Sequence, residues 1–210
     1  KDRIMSTLGT VSRGRYTSLN ADSTRNPERL LALRGQTGAT WFVDSAVSSS
    51  GNGLSWGGAF ETVAEAIAKA LAGDLILVNA GHSESTAVAI TMRVAGVHGV
   101  GLGVGDRRPV ITFTADVDWN LNAAGIVLEN LVLKNDSDSQ AIVVEINAAD
   151  CQVRYCELRE GSSKQFLVGI DIGGTAANNA DGTKIIGCAI YSISAGANSG
   201  IKLSEISDAK

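Results

Sequence analysis

Charged side chains at recurring positions are the residues of this chain that could do chemistry, as general acids, general bases or clamps on a substrate. Glu129, Arg154 and Glu157 fall on the polar positions of one repeated segment, and Asp171 and Lys202 on those of another. A glycosidase needs two carboxylates that face each other across one bond, and aligning the repeats gives no carboxylate pair in neighbouring repeats. We therefore interpret the first three residues as an ion-pair patch and the last two as a cross-strand salt bridge, and we assign no catalytic residue.

Two loops carry paired aspartates that could bind calcium through oxygen atoms. Asp116 and Asp118 form one pair, and Asp136 and Asp138 the other. Neither loop has the glycine and the distal glutamate of an EF-hand, so we interpret both as solvated turns. The glycine-rich segment 99–105 lacks the lysine and the following helix of a phosphate-binding loop, and we interpret it as turns. The sequence therefore predicts no metal and no cofactor.

The two histidines lie in different turns. His82 and His98 have no nearby cysteine or second histidine, so we expect turn or surface residues rather than ligands or bases. The segment Arg107-Arg108-Pro109 is expected to be a solvated bend.

The three cysteines are too few and too far apart for a disulfide framework or a zinc site. Cys156 and Cys188 occupy equivalent positions in neighbouring repeats, which is compatible with a disulfide. We favour stacked buried thiols, because the matching position in the preceding repeat is Leu131.

Repeated apolar alternation organises residues 74–210. A frame of three apolar positions occurs four times. The four sets are Val97, Val100 and Leu102; Leu128, Leu131 and Leu133; Val153, Cys156 and Leu158; and Ile185, Cys188 and Ile190. A second frame follows each one as Ile111 and Phe113, Ile142 and Val144, Ile170 and Ile172, and Ile201 and Leu203, with Thr112, Val143, Asp171 and Lys202 pointing outward. The starts are 31, 25 and 32 residues apart, with no helical segment after residue 72. This spacing predicts a parallel β-helix rather than a βαβ fold or a leucine-rich repeat.

An amphipathic helix is predicted over residues 59–72, before the repeats. Its shared apolar face consists of Phe60, Val63, Ala64, Ile67 and Leu71, and Gly73 ends it. We expect this helix to cover the N-terminal end of the β-helix, where unpaired strand edges would otherwise be exposed.

Residues 1–40 are predicted to form an extended basic arm with a short helix over residues 27–34. The arm carries seven basic and three acidic side chains, whereas the whole chain has a net charge of −4. Asn26 and Pro27 suit a helix start and Gly35 suits its end, but two turns of helix are not stable alone. Without a clustered Lys/Arg run, the arm favours docking onto an acidic protein surface over binding nucleic acid.

The chain from residue 41 to 210 resembles pectate-lyase-like right-handed β-helix proteins. The matching features are Trp41–Asp44, the Gly51-Asn52-Gly53 turn, Leu54-Ser55-Trp56, the helix, and the run from Gly73 and Asp74 to His82. His82 stands where that family usually has an aromatic residue. The resemblance implies a right-handed parallel β-helix but says little about activity, because members include polysaccharide lyases and hydrolases, bacterial surface proteins, and phage tailspikes, fibres and capsid decorations.

On these grounds the sequence predicts a non-enzymatic structural virion protein, such as a phage capsid decoration, fibre or tail component, anchored through residues 1–40. The expected partners are other virion or surface subunits, bound by this arm and by an open C-terminal coil, in a homo-oligomer for which a trimer is one arrangement. The polar segment Ser204–Lys210 is too short to cover that coil, so either the chain continues or another subunit closes it. Two alternatives stay open: a polysaccharide-degrading or glycan-binding β-helix of the tailspike type, and a cell-surface adhesin or filament subunit.

Location is predicted from two segments. Residues 1–9 contain no apolar signal core, and the most apolar stretch, 87–104, is interrupted by Arg93, His98 and four glycines. We therefore expect no membrane partner, and secretion stays open because a removed signal peptide would leave no trace. The expected place in a virion or on an extracellular surface follows from the predicted structural role.

Overall fold

The chain folds as a parallel β-helix over the residues that the structure describes, which are 38–173, 180–193 and 199–204 of this computed structural model. They belong to one compact unit, Gly38–Lys210. The predicted helix over 27–34, and the predicted arm up to residue 37, lie outside the described residues. The strands are β1 (Thr40–Val43), β2 (Leu75–Val78), β3 (Ser83–Thr86), β4 (Ile90–Met92), β5 (His98–Gly101), β6 (Val110–Phe113), β7 (Trp119–Leu121), β8 (Val127–Glu129), β9 (Val132–Asn135), β10 (Gln140–Ile146), β11 (Gln152–Arg154), β12 (Glu157–Glu160), β13 (Phe166–Gly173), β14 (Lys184–Ile186), β15 (Ala189–Tyr191) and β16 (Ser199–Ser204). The described residues also form one α-helix, α1 (Val63–Lys69), and two 3-10 turns, Trp56–Gly58 and Gly105–Arg107.

The strands form three parallel sheets. Sheet A has the order β1-β2-β5-β8-β11-β14, sheet B is β3-β6-β9-β12-β15, and sheet C is β4-β7-β10-β13-β16. Each coil contributes one strand to each sheet, so its backbone hydrogen bonds go to the coils before and after it. The chain makes four full turns between β2 and β14 and then adds β15 and β16. The predicted parallel β-helix is confirmed.

Aliphatic side chains stack from coil to coil in the interior. Leu128, Val153 and Ile185 are register partners in sheet A, and Leu133, Leu158 and Ile190 are register partners in sheet B, as predicted. The first two residues of each stack are fully buried, and each buried aliphatic side chain contributes roughly 1.5–3 kcal/mol of transfer free energy. Strand β2 is buried on its outward side as well, since Leu75 and Leu77 are as inaccessible as Ile76 and Val78. Burial on both faces explains its continuous apolar run.

The predicted register of sheet A is wrong in the first repeated frame. Gly99, not Val97, is the partner of Leu128. A Cβ atom on Gly99 would lie 3.3 Å from a methyl group of Leu128. The leucine side chain fills that part of the interior, so a glycine occupies an inward position that an apolar pattern does not reveal.

The second predicted frame aligned residues that belong to two different sheets. Phe113 and Ile111 belong to sheet B, where Ile111 pairs with Leu133. In sheet C, Val144 rather than Ile142 pairs with Ile170. A shift of two residues preserves the in-and-out alternation of a strand, so the pattern alone could not exclude it. The predicted pairing of β13 with β16 is confirmed, because Ile170 pairs with Ile201 and Ile172 pairs with Leu203.

The capping helix is shorter than the predicted 59–72. Phe60 lies in a parallel β-bridge with Val43, and its N–H donates to the carbonyl of Phe42. The helix therefore begins only after Thr62, whose side chain accepts from the N–H of Glu65 while the Glu65 carboxylate accepts from the N–H of Thr62. Such a capping box fixes a helix start because it satisfies donors that have no partner within the helix.

The apolar face of α1 also differs from the predicted one. Val63 and Ala66 are buried in the core, whereas Ala64 and Leu71 are exposed. The helix ends at Lys69 because Ala70 is extended. Helix α1 contacts β1, β2 and β4, so it covers the first coil as expected.

Asp74 ties the first strand to the end of the helix. Its Oδ1 atom accepts from the N–H of Ala39 at 2.7 Å, and its Oδ2 atom accepts from Trp41 Nε1 and from the N–H of Leu71, both at 2.8 Å. Asp74 itself is buried. The Gly-Asp of the opening segment is therefore a structural junction, with one carboxylate satisfying three donors.

The last described coil has an exposed interior side. Ile201 and Leu203 occupy the register positions of buried or half-buried residues in β13, yet they are 47% and 61% exposed. Strands β14, β15 and β16 are the terminal strands of their sheets among the described residues. Apolar side chains and unpaired strand edges therefore coincide on this coil.

Candidate functional site

A cleft of about 370 Å³ opens on the outer face of sheet B, spans three coils and gathers charged side chains from two of them. Asp106 and Arg108 reach it from the turn before β6, and Glu157 and Arg159 stand on β12. Alternation along β12 puts Glu157 and Arg159 on the same outward face. The floor between them and the turn is apolar, provided by Val110 and Val132.

Two arginines hold Glu157. The Oε2 atom of Glu157 forms an ion pair with Arg108 Nη2, and its Oε1 atom lies 3.5 Å from Arg159 Nη1. Arg108 also donates from Nη1 to the carbonyl of Tyr155 at 3.4 Å. The expected solvated bend is therefore wrong for Arg108, which is only one-fifth exposed. Its partner lies 49 residues later, a contact that only the stacking of coils creates.

The cleft suits binding better than acid–base chemistry. Each carboxylate oxygen of Glu157 is paired with a guanidinium group, an arrangement that fixes the position of this side chain. Arg159 is the more exposed arginine, at 44%, and its donors are able to reach sugar hydroxyls or a carboxylate. Tyr191, the register partner of Arg159 in β15, is exposed beside it and offers an aromatic surface.

The predicted ion-pair patch is only partly formed. Glu129 and Arg154 are register partners in sheet A, with Arg154 Nη1 3.7 Å from Glu129 Oε2. Arg154 is also bonded to Gln152. Glu157, the third member of the predicted patch, instead belongs to the sheet B cleft.

Sheet C contains a carboxylate pair that the alignment of the repeats did not predict. Glu145 and Asp171 are direct register partners between β10 and β13, so the expectation of no such pair is wrong. Val143, predicted to face outward at this level, is buried in the core cluster. The predicted salt bridge is confirmed, since Lys202 Nζ lies 3.2 Å from Asp171 Oδ2.

The paired aspartates make local contacts. Asp116 accepts from the N–H of Ala141 at 2.7 Å, and Asp118 accepts from the side chain of Asn120 at 2.7 Å. Asp138 is bonded to Lys164 at 2.6 Å, and that hydrogen bond and the positive charge lower the pKa of Asp138. Over the described ranges, no group of three or more His, Cys, Asp or Glu is arranged to hold a metal ion.

His82 is buried, so the expectation of a surface histidine is wrong for it. Its Nδ1 atom accepts from the N–H of Ser45 at 2.9 Å, and its Nε2 atom lies 3.2 Å from Glu84 Oε2. The same carboxylate oxygen accepts from the N–H of Val63 at the start of α1. These contacts join β1, β3 and the helix, and they assign a structural role to His82.

The three cysteines form no disulfide. Backbone bonds from Glu157 to Leu131 and from Ala189 to Cys156 place Cys156 above Leu131 and below Cys188, as predicted. Burial raises the pKa of Cys156 to about 12, and burial also raises the pKa of Cys151 and Cys188.

No family model, no curated protein and no solved structure matches this chain. Among the helices of the described residues, none is long and apolar enough to cross a membrane.

Proposed function

We propose that this protein is a non-enzymatic structural subunit of a virion, such as a phage capsid decoration, fibre or tail component. In this proposal the basic segment 1–40 anchors the subunit, and the β-helix is the rigid body that packs against neighbouring subunits. The supporting observation is the exposure of Ile201 and Leu203 at the inward register positions of β16, a surface that a further strand, from a neighbouring subunit or from the same chain, would cover. The virion setting rests on the resemblance of the opening segment to β-helix proteins that include phage components.

Protein is the partner that suits the last described coil. Ile201 and Leu203 would lose exposed apolar surface in such a contact, which is favourable at roughly 25 cal/mol per Å². The edges of β14, β15 and β16 offer N–H and C=O groups that only another backbone satisfies in series. A small ligand or a glycan would cover the side chains but leave most of these backbone groups without partners.

The polar surfaces favour the non-enzymatic interpretation. Glu145 and Asp171 are adjacent carboxylates, but the Asp171 side chain is only 7% exposed and its Oδ2 atom is bonded to Lys202 and Ser204. Glu157 is bonded to arginines on both oxygens. Neither arrangement presents two accessible carboxylates on opposite sides of a scissile bond.

Self-association of the full chain tests the role of the last coil. We expect wild-type protein to form a defined oligomer in sedimentation velocity, and Leu203→Asp to shift it towards monomer, because a buried charge would oppose the contact. Val104→Asp is the matched control, since Val104 is 83% exposed on a turn between sheets A and B. A wild-type monomer at all concentrations, or equal effects of the two substitutions, would contradict assembly through this coil.

Salt tests the contribution of the basic arm. The arm has four more basic than acidic side chains, and the remaining 170 residues have eight more acidic than basic ones. If the arm docks onto the acidic body of another copy, moderate salt should weaken the oligomer because it screens exposed charges. Arg13→Glu with Arg15→Glu should have the same effect at low salt. An oligomer that neither treatment weakens would leave the arm without an anchoring role in self-association.

Glycan binding is the second candidate, and the sheet B cleft favours it. Arg159 and Tyr191 combine hydrogen-bond donors with an exposed ring beside the fixed Arg108–Glu157 pair. A screen against acidic and neutral polysaccharides should then show binding that Arg159→Met weakens and Lys184→Met, at an exposed position on sheet A, leaves unchanged. Reproducible chain cleavage in this screen would overturn the non-enzymatic proposal.

A further inference from the structure

Two cysteines lie opposite each other in neighbouring coils. Glu157 pairs with Ala189 in sheet B, so the residues that precede them, Cys156 and Cys188, are also opposite. The N–H of Ala189 donates to the carbonyl of Cys156 at 3.0 Å, which fixes the spacing of the two coils at this point. Neighbouring strands are about 4.8 Å apart, and disulfides join Cα atoms that are roughly 4.4–6.8 Å apart. The backbone therefore already has the spacing that a disulfide needs.

The sulfur atom of Cys188 lies against the coil that contains Cys156. It donates to the carbonyl of Val153 in that coil at 3.3 Å. Burial raises the pKa of the Cys188 thiol, and a hydrogen bond from the Cys156 backbone opposes part of this rise, so the sulfur also lies beside the main chain of Cys156. Joining the two sulfur atoms therefore requires side-chain rotation but no change of strand register.

The two thiols differ in accessibility. Cys156 is 1% exposed, whereas Cys188 is half-buried. Burial raises the pKa of Cys156 to about 12, so it reacts slowly with dissolved reagents. A reactive group on Cys188 is different, because a fixed position beside Cys156 replaces a chance encounter and increases the effective concentration. Oxidation therefore starts at Cys188 and reaches Cys156 through it.

We propose that Cys156 and Cys188 form a redox-sensitive pair, which hydrogen peroxide converts to a disulfide between neighbouring coils. The Cys188 thiolate attacks an oxygen atom of the peroxide, the O–O bond breaks, and a sulfenic acid and hydroxide result. The sulfur of Cys156 then attacks the sulfenic sulfur, the S–S bond forms and the S–O bond breaks. Each hydroxide takes up one thiol proton, so two thiols and one peroxide give one disulfide and two waters. This pair is independent of the proposed virion role.

The disulfide would hold the last described coil to the coil before it. Strands β14, β15 and β16 form that last coil, in which Ile201 and Leu203 are exposed. The link closes a loop one coil long, which restricts the unfolded chain and stabilises the folded one. Oxidation should therefore stabilise the end of the β-helix that has exposed apolar side chains, and a thiol reductant should reverse the effect.

Peroxide treatment of the full chain, stopped with catalase and followed by peptide mass spectrometry, tests the pair. Trypsin cleaves after Arg154 and so separates Cys151 from Cys156. We expect the chain to lose two hydrogen atoms and to give one linked peptide pair that contains Cys156 and Cys188. The unfolding temperature of the oxidised protein should rise by about 5 °C or more, and dithiothreitol should abolish both changes.

Cys151 provides the matched control. It is as buried as Cys156, but its neighbours in the adjacent coils, one residue before the register partners in β8 and β14, are Ile126 and Thr183. Cys151→Ala should therefore keep the linkage and the rise in unfolding temperature, whereas Cys188→Ala should lose both. Circular dichroism checks the fold of each variant, and the peptide map of the wild-type chain decides the question even if a variant does not fold.

Three results would overturn the proposal. The first is oxidation of Cys188 to sulfinic acid in wild type without a linked peptide. The second is a linkage of Cys151 in a yield comparable to that of Cys156, which would show that oxidation follows opening of the coils. The third is a linked protein whose unfolding temperature is unchanged or lower, which would show that the disulfide does not fit the folded coils.

Discussion

The backbone N–H of Ser45 donates a hydrogen bond of 2.9 Å to Nδ1 of His82, across 37 residues of sequence. Because Nδ1 accepts, a ring proton is assigned to Nε2, which lies 3.2 Å from Glu84 Oε2. One buried imidazole therefore joins the loop after β1 to the carboxylate that bonds the first turn of α1. The capped end of the β-helix depends on this connection as well as on apolar packing.

Replacing the His82 imidazole with an apolar ring should show how much this connection contributes to the free energy of unfolding. His82→Phe keeps most of the volume but leaves the N–H of Ser45 without an acceptor, and we expect the free energy of unfolding to fall by about 1–3 kcal/mol. Urea denaturation followed by circular dichroism measures it. His82→Asn, whose side-chain oxygen is able to accept from Ser45, should recover part of the loss. Equal stability of His82→Phe and wild type would refute this role.

Substitution of Asp74 should lower the free energy of unfolding more than substitution of an exposed carboxylate. Asp74→Asn places an amide NH₂ against at least one of the three donors that the carboxylate accepts, so we expect a loss of roughly 2–3 kcal/mol in unfolding free energy. The emission of Trp41, whose indole is bonded to Asp74, should change in the folded state. Asp138→Asn is the control and should cost little, because Asp138 is solvated and its ion pair is exposed.

The coil spacing could be predicted from sequence where aliphatic residues fill the interior. Leu128, Val153 and Ile185 are large side chains at strictly inward positions, so their spacing of 25 and 32 residues measures the coils directly. The same method failed at Gly99, where a glycine leaves room for the neighbouring Leu128. An inward position that carries no side chain gives no hydrophobic signal.

The Glu145–Asp171 and Arg108–Glu157 pairs could not be predicted because they depend on register. Strand β10 alternates through Ile142, Val144 and Ile146, so sliding it by two residues gives an equally amphipathic strand. Only the lengths of the intervening turns decide that Glu145 is opposite Asp171. The Arg108–Glu157 pair depends in the same way on which turn lies beside which strand.

Thiol reactivity should follow burial in the stack. The nucleophile is the thiolate, and with a pKa raised to about 12 by burial, Cys156 is almost fully protonated at pH 8. We expect Cys156 and the equally buried Cys151 to resist iodoacetamide in the native protein, with Cys188, which is half-buried, modified first. Peptide mass spectrometry with and without urea measures the order. Rapid native labelling of Cys156 would show that the last coils open readily.

Acid should weaken the capping box at Glu65. Burial disfavours the charged carboxylate, but hydrogen bonds from Ser50 and Thr62 outweigh it and lower the pKa of Glu65 from its ordinary value of 4.5. A group whose pKa is lower in the folded state contributes stability above its unfolded pKa, and that contribution is lost as the pH falls through the folded pKa. Glu65→Gln keeps an oxygen that is able to accept from Thr62 but removes the charge. It should therefore be less stable than wild type at pH 7, and the difference should shrink below about pH 5.

Urea denaturation at a series of pH values measures this difference, with Glu61→Gln, an exposed residue of the same segment, as the charge-matched control. A difference that stays constant down to pH 3, or an equal pH dependence in Glu61→Gln, would mean that the ionised Glu65 carboxylate does not specifically stabilise the start of α1.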